Sequence, residues 1–171
     1  KTKVVKQGYV PPIHDFNLST SGGVNLTESI LSSAKPVFLL VAPKVEEANL
    51  NSINKMIELQ MQCNELGYPF YLVTSSVDQT IQSFETKTGA GMDILKADET
   101  LLKTITRANL GLVVLQHGVI IGKWNANFTP SVKEFTNPLS AAIRFQTSKR
   151  NYAYLLVILF LSTTFAFAIF K

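Results

Sequence analysis

Pro36-Val37-Phe38-Leu39-Leu40-Val41-Ala42-Pro43 is the stretch on which the fold turns. Large apolar residues run unbroken from Val37 to Val41, between prolines that have no amide hydrogen to give to a sheet. A run this short and this sharply bounded reads as a strand buried on both faces, the kind that lies at the centre of an α/β sheet. The loop that follows, Pro43-Lys44-Val45-Glu46-Glu47, is where an open α/β sheet keeps its chemistry. It holds no cysteine, no histidine and no glycine-rich turn.

Helix-like and strand-like segments alternate on both sides of that run. Upstream, Lys3–Gln7 and Ile13–Leu18 are β-prone and Gly22-Gly23 is a turn. Asn25 is placed to cap a helix over Leu26–Ser33, with Glu28 as its capping-box partner. Downstream, Leu50, Ile53, Ile57 and Met61 recur at helical spacing. A second row of Met56, Leu59, Cys63 and Leu66 widens that face, and Gly67 ends the helix. Pro69–Thr74 is a second buried strand. Ser76 with Gln79 predicts a capping pair for a helix carrying Val77, Ile81 and Phe84 and closed by Gly89. Asp98 caps a short helix through Leu101, Leu102 and Ile105. Leu112–Leu115 and Val119–Trp124 form a hairpin about Gln116-His117-Gly118. Beyond Asn125 the pattern loosens, with a short helix at Ser131–Phe135 and a mildly amphipathic one over Leu139–Ser148.

The 171 residues suffice for one well-buried domain and an appendage. That appendage is Tyr152–Phe170, which has no charge, proline or glycine. About nineteen residues at a helical rise cover roughly 28 Å, enough for the hydrocarbon core of a bilayer. Tyr152 and Tyr154 stand at its start, and Lys149, Arg150 and Lys171 bracket it as interface anchors. A buried helix of a globular domain would show a polar face, and this segment has none. The domain plan is therefore a folded domain over 1–136, a juxtamembrane helical linker over 137–150 and a transmembrane helix over 151–171. The opening at Lys1, directly on a strand-like segment, reads as a piece of a longer or processed chain.

The formal charge of +4 comes from scattered lysines and arginines, not from a basic face with interleaved aromatics, so no nucleic-acid partner is expected. A single cysteine, Cys63, excludes an intrachain disulfide and a thiol-rich metal site. Neither a cofactor nor a metal is expected.

Taken in order, 11–18, 36–43, 67–74, 98–105 (Asp-Glu-Thr-Leu-Leu-Lys-Thr-Ile) and 111–124 (Gly-Leu-Val-Val-Leu-Gln-His-Gly-Val-Ile-Ile-Gly-Lys-Trp) resemble a thioredoxin-like domain. More narrowly, the chain from about residue 5 onward is similar to the C-terminal region of bacterial DoxX/MauE-type redox-associated membrane proteins. In these a helix bundle precedes such a domain and a last membrane helix follows it. The resemblance implies an α/β fold with a central mixed sheet flanked by helices, then one C-terminal span. It also implies the bacterial inner membrane as location, and as partners the lipid bilayer and a helix bundle of the same protein or complex. Arg144, Lys149 and Arg150 before the span would put the domain in the cytoplasm by charge count. The resemblance implies the periplasmic side, which is the side expected here.

Both chemical signatures of that fold are missing. The dithiol would sit at the start of the helix after the central strand, where helix dipole and amides lower a thiol's pKa. Here that stretch is Lys44-Val45-Glu46-Glu47-Ala48-Asn49. The family's cis-proline position falls at Leu110, where a cis bond would cost several kcal/mol, so a trans peptide is expected. The function implied is a redox-inactive binding or scaffold module. The alternative is a single-cysteine thiol peroxidase or thiol-transfer enzyme using Cys63.

Other side chains read more plainly as structural. Cys63 lies on the apolar face of its helix, as an inert buried thiol would. His14 and Asp15, adjacent on a strand, point to opposite faces. His117 occupies an exposed turn. Glu46 and Glu47 diverge at a helix start, where the dipole accounts for them. Asn17, Asn25 and Asn127 each begin an Asn-x-Ser/Thr triplet, glycan acceptors only if the chain is secretory.

Overall fold

The structure, a computed structural model, describes residues 16–129. The readings for Lys3–Gln7, His14, Ser131–Phe135, the linker and the span at 152–170 lie outside the described residues. Among the described residues no helix is long and apolar enough to cross a membrane.

Six strands form one mixed sheet: β1 (Ser19–Thr20), β2 (Val37–Val41), β3 (Phe70–Thr74), β4 (Asp93–Lys96), β5 (Gly111–Gln116) and β6 (Val119–Asn125). Their spatial order is β1-β4-β3-β2-β5-β6. β2, β3 and β4 run parallel, while β5 returns antiparallel on the other side of β2 and β6 pairs with β5. The quoted run is thus an interior strand, and all its residues are buried. The parallel pairs are joined by α2 (Ile53–Glu65) and α3 (Asp78–Thr88), the crossovers that parallel strands need. Two short helices, α1 (Thr27–Leu31) and α4 (Glu99–Ile105), complete the set.

Alternation along β2 divides the core. Val37, Leu39 and Val41 pack with Leu18, Ile30, Val73, Leu95, Leu102, Val113 and Leu115 on one face. Phe38 and Leu40 turn to the other, where Phe38 stacks with Tyr68 and Phe70 and α2 packs against β3. Each fully buried side chain among these, Phe38 and Leu40 included, contributes about 1.5–3 kcal/mol relative to exposure.

Several local expectations need correction. β4 is absent from the sequence reading because Asp-Ile-Leu-Lys buries only Leu95 deeply, too little alternation to register. Its parallel register with β3, Tyr71 against Asp93 through Thr74 against Lys96, makes it a strand. On α2 the buried row is Ile53, Met56, Leu59 and Cys63. Met61 and Leu66 face solvent at 61 % and 46 % exposure, and Leu50 lies on a separate 3-10 turn before the helix. Asn25 does accept the Thr27 amide, at 2.8 Å, but α1 is shorter than expected. Ile13–Leu18 does not extend as a strand into the described residues: 16–18 are irregular and pairing starts at Ser19. The hairpin turn is His117-Gly118 alone, with Gln116 still in β5, and both turn residues have positive φ (49° and 72°) as a type I′ turn requires.

Candidate functional site

Three segments meet beyond the C-terminal end of β2: the loop leaving β2, the Ser75-Ser76 step leaving β3, and the loop between α4 and β5. Pro43 fixes the first. Its carbonyl accepts from the Ser75 amide (3.2 Å) and from the Ser75 hydroxyl (2.6 Å), so the β2 and β3 exits are tied together.

Val45–Glu47 is then a single 3-10 turn, and a second turn at Leu50–Ser52 intervenes before α2 begins at Ile53. Glu46 and Glu47 therefore do not stand at the start of α2, which corrects their reading as dipole partners. The aligned amides that would stabilise an anion at a helix start come six residues later than the sequence placed them. Glu46 is held instead by Ser76, whose hydroxyl donates to Oε2 at 2.7 Å and accepts from the Val45 amide at 3.0 Å. A hydrogen bond from its own backbone amide, then that from Ser76, keep the Glu46 carboxyl below the usual range. Ser76 consequently does not cap α3. The N-cap residue is Val77, 67 % exposed and without a side-chain cap, and the Ser76 carbonyl accepts from Lys96, which also pairs with Asp78 at 2.8 Å.

Glu47 turns the other way, to Lys44 at 3.2 Å. That contact raises the Lys44 pKa, with a smaller contribution from Glu99 at 3.9 Å. Glu99 in turn binds Lys103 at 2.6 Å, which lowers its carboxyl. The Lys44 carbonyl accepts from Asn109 Nδ2 at 2.8 Å, which joins this loop to the one before β5. The amide orientation is settled by that partner, since a carbonyl oxygen can only accept. Asn109 Oδ1 is left buried with no hydrogen-bond partner.

Leu110, next along, is buried with φ of +80°, a region that L side chains seldom enter. Its carbonyl accepts from the Ala126 amide at 3.1 Å. The described residues contain no cis peptide bond. An open groove of about 380 Å³ lies between Lys44, Glu47, Lys103, Arg107 and Asn109.

Cys63 belongs to none of this. It sits ten residues along α2 from Ile53, about 15 Å down the axis at 1.5 Å per residue. Its side chain is fully buried, and burial pushes the thiol pKa up to about 12. His117 is exposed in its turn, and its amide donates to the Ser33 carbonyl. Asn17, Asn25 and Asn127 are exposed, though the Asn127 side chain accepts from Ser52. Among the described residues no three His, Cys, Asp or Glu side chains converge as a metal site.

No family model matches the sequence, and no curated protein matches it. Solved structures do match. A candidate thioredoxin from Neisseria meningitidis superposes with a TM-score of 0.54 at 12 % identity, over 75 % of this chain and 87 % of that one. A candidate protein disulfide isomerase from Bacteroides thetaiotaomicron gives 0.53 at 14 % identity, over 81 % and 90 %. A thioredoxin-like protein from Aeropyrum pernix gives 0.52 at 11 % identity, over 75 % of this chain and 88 % of that one. The fold is thioredoxin-like. At these identities the likeness extends to the fold alone.

Sequence reasoning missed Ser76, Asn109 and Arg107. Ser76 was assigned to the helix it precedes, and only the paired strands reveal that it faces the β2 loop instead. Arg107 and Asn109 both lie just before Leu110, and nothing in their spacing marks them.

Proposed function

We propose that this thioredoxin-like domain is a binding or scaffold module without dithiol chemistry, serving a redox-associated, DoxX-type helix bundle of the same protein or complex. The observation that carries the proposal is the Lys44–Asn49 stretch. It contains no sulfur, it is detached from the start of α2, its Glu46 side chain is held by Ser76 and its Lys44 side chain by Glu47, and the Lys44 carbonyl accepts from Asn109. A thiolate there would have neither an atom to form on nor aligned amides to stabilise it.

The location that goes with this reading is the bacterial inner membrane, held by the apolar segment 152–170, with the domain on the periplasmic face. Support for it comes from the sequence: an uncharged run of spanning length with aromatic and basic flanks.

The thiol-transfer alternative has the fold behind it, since Cys63 is carried by a thioredoxin-like scaffold. It needs a thiolate near neutral pH and a path for a second sulfur to reach it. Full burial and a pKa near 12 oppose both. Insulin reduction driven by a dithiol reagent separates the two readings. The binding-module reading expects no turnover above the reagent's own rate, and turnover that disappears in Cys63→Ser would overturn it.

A further inference from the structure

The end of the sheet from which the chain leaves β6 gathers cations that are far apart in sequence. Lys55, in the first turn of α2, donates from Nζ to the Asn127 carbonyl at 3.4 Å. Lys123, on β6, donates to the carbonyl of Ile105, the last residue of α4, at 3.0 Å. Arg107 follows two residues later and is exposed, as both lysines are. The Ala126 amide donates to the Leu110 carbonyl, so the loop before β5 and the chain exit at 125–129 share one rim.

Among the described residues none of these three cations has a carboxylate within ion-pair distance. The carboxylates of the adjoining loops and of α4 are already engaged. Glu47 is held by Lys44, Glu99 by Lys103, Glu46 by Ser76, and Asp98 accepts from the Leu101 amide. Glu58, a turn beyond Lys55 on α2, makes no ion pair. Backbone carbonyls thus hold the two ammonium groups in place without neutralising them. The sequence beyond the exit keeps the same sign: residues 130–151 carry Lys133, Arg144, Lys149 and Arg150 against one carboxylate, Glu134. Those 22 residues reach at most about 70 Å when extended. Anchored through 152–170, the domain is therefore confined close to a bilayer surface, where a weak contact suffices.

We propose that this rim docks on the phosphodiester headgroups of an anionic bilayer, with Lys55, Arg107 and Lys123 as the contact charges. The inference rests on the membrane-anchored reading and names the face that the domain turns to that membrane. The Arg107 guanidinium offers a planar fork to two phosphate oxygens, and each lysine acts as a point charge. Every group involved is near solvent, so salt weakens the attachment.

Trp124 is the chain's single tryptophan and neighbours Lys123, so its emission reports on this rim. The test reconstitutes the full chain into vesicles of phosphatidylcholine alone, or of phosphatidylcholine and phosphatidylglycerol in equal parts. Each contains a dansyl-headgroup lipid as acceptor. Energy transfer from Trp124 is expected to be about twofold or more greater in the anionic vesicles at low salt, and to fall to the phosphatidylcholine level at high salt. Combining Lys55→Gln, Arg107→Gln and Lys123→Gln is expected to abolish the difference, since glutamine keeps a donor and loses the charge. Arg107→Gln alone is expected to reduce it, whereas Lys35→Gln, an equal loss of charge at the other end of β2, is expected to leave it intact. Equal transfer in the two vesicles, or a difference that survives the triple substitution, overturns the proposal. So does a loss in Lys35→Gln as large as that in Arg107→Gln. Extraction of the same vesicles with alkaline carbonate keeps the two failures apart. Chain released from the vesicles refutes the anchored reading itself, whereas chain retained with equal transfer refutes only the docking face.

Discussion

Ser76 closes the site more than any other single residue. Its hydroxyl serves two elements at once, donating to Glu46 and accepting from the Val45 amide, and it is 6 % exposed. Removing it leaves a buried amide without an acceptor, so Ser76→Ala is expected to destabilise the domain by about 1–3 kcal/mol. Urea denaturation checks this, and an unchanged midpoint would contradict it. The same substitution removes one of the two hydrogen bonds that lower the Glu46 carboxyl. Its pKa, followed by NMR of the carboxyl carbon, is expected to rise toward the ordinary glutamate value. A carboxyl lowered in the folded state stabilises it above the unfolded pKa, and that contribution fades as pH falls through the folded one. The stability gap between wild type and Ser76→Ala is therefore expected to narrow in acid. The surface pairs of Lys44 and Lys103 contribute little by comparison, since exposed ion pairs are worth about 0–1 kcal/mol.

Among the elements, the β5–β6 hairpin makes the clearest demands on sequence. Gly118 has φ of +72° and its added Cβ would come within 3.3 Å of the Leu31 carbonyl. Gly118→Ala is expected to cost about 1 kcal/mol or somewhat more, chiefly for the left-handed backbone. Gly122 is a different case. Its φ is not restrictive, but a Cβ there would collide with the Trp124 ring, which lies over the strand. Gly122→Ala is expected to cost about 1–3 kcal/mol through overpacking. Combining it with Trp124→Leu is expected to recover part of that loss, while the same partner change leaves Gly118→Ala uncompensated. Thermal melts of the three single and two double variants decide this, and strict additivity at Gly122 would contradict it. The hairpin was legible in the sequence because His-Gly between two apolar runs has a local mechanism. The face of α2 was less so. Two apolar rows at helical spacing compete for the core, and only the sheet shows that Met56, Leu59 and Cys63 win over Met61. β4 was invisible because its identity depends on β3, a neighbour distant in sequence, and not on its own residues.

At the scale of the whole molecule, the described residues form a thioredoxin-like sheet whose β2 exit carries no cysteine. β2 and its boundaries placed the sheet correctly from sequence, because an uninterrupted apolar run between prolines admits few other environments. The absence of a dithiol was equally plain, being a matter of composition. What the sequence did not disclose is how the Lys44–Asn49 stretch is arranged: a 3-10 turn set apart from α2 and latched by side chains from the β3 exit and the loop before β5. Those contacts span roughly 30 and 65 positions of the chain, Ser76 to Glu46 and Asn109 to Lys44. Long-range pairing of that kind leaves no periodicity to read.

Since Cys63 is the chain's single thiol, its ionisation bears on the account more directly than any activity assay. Ultraviolet absorbance of the thiolate, titrated upward in pH on the native full chain with Cys63→Ser as blank, measures it. The account predicts no thiolate signal at neutral pH and ionisation only toward about 12, where burial has moved it. A thiolate present at neutral pH would contradict it and return the domain to thiol chemistry.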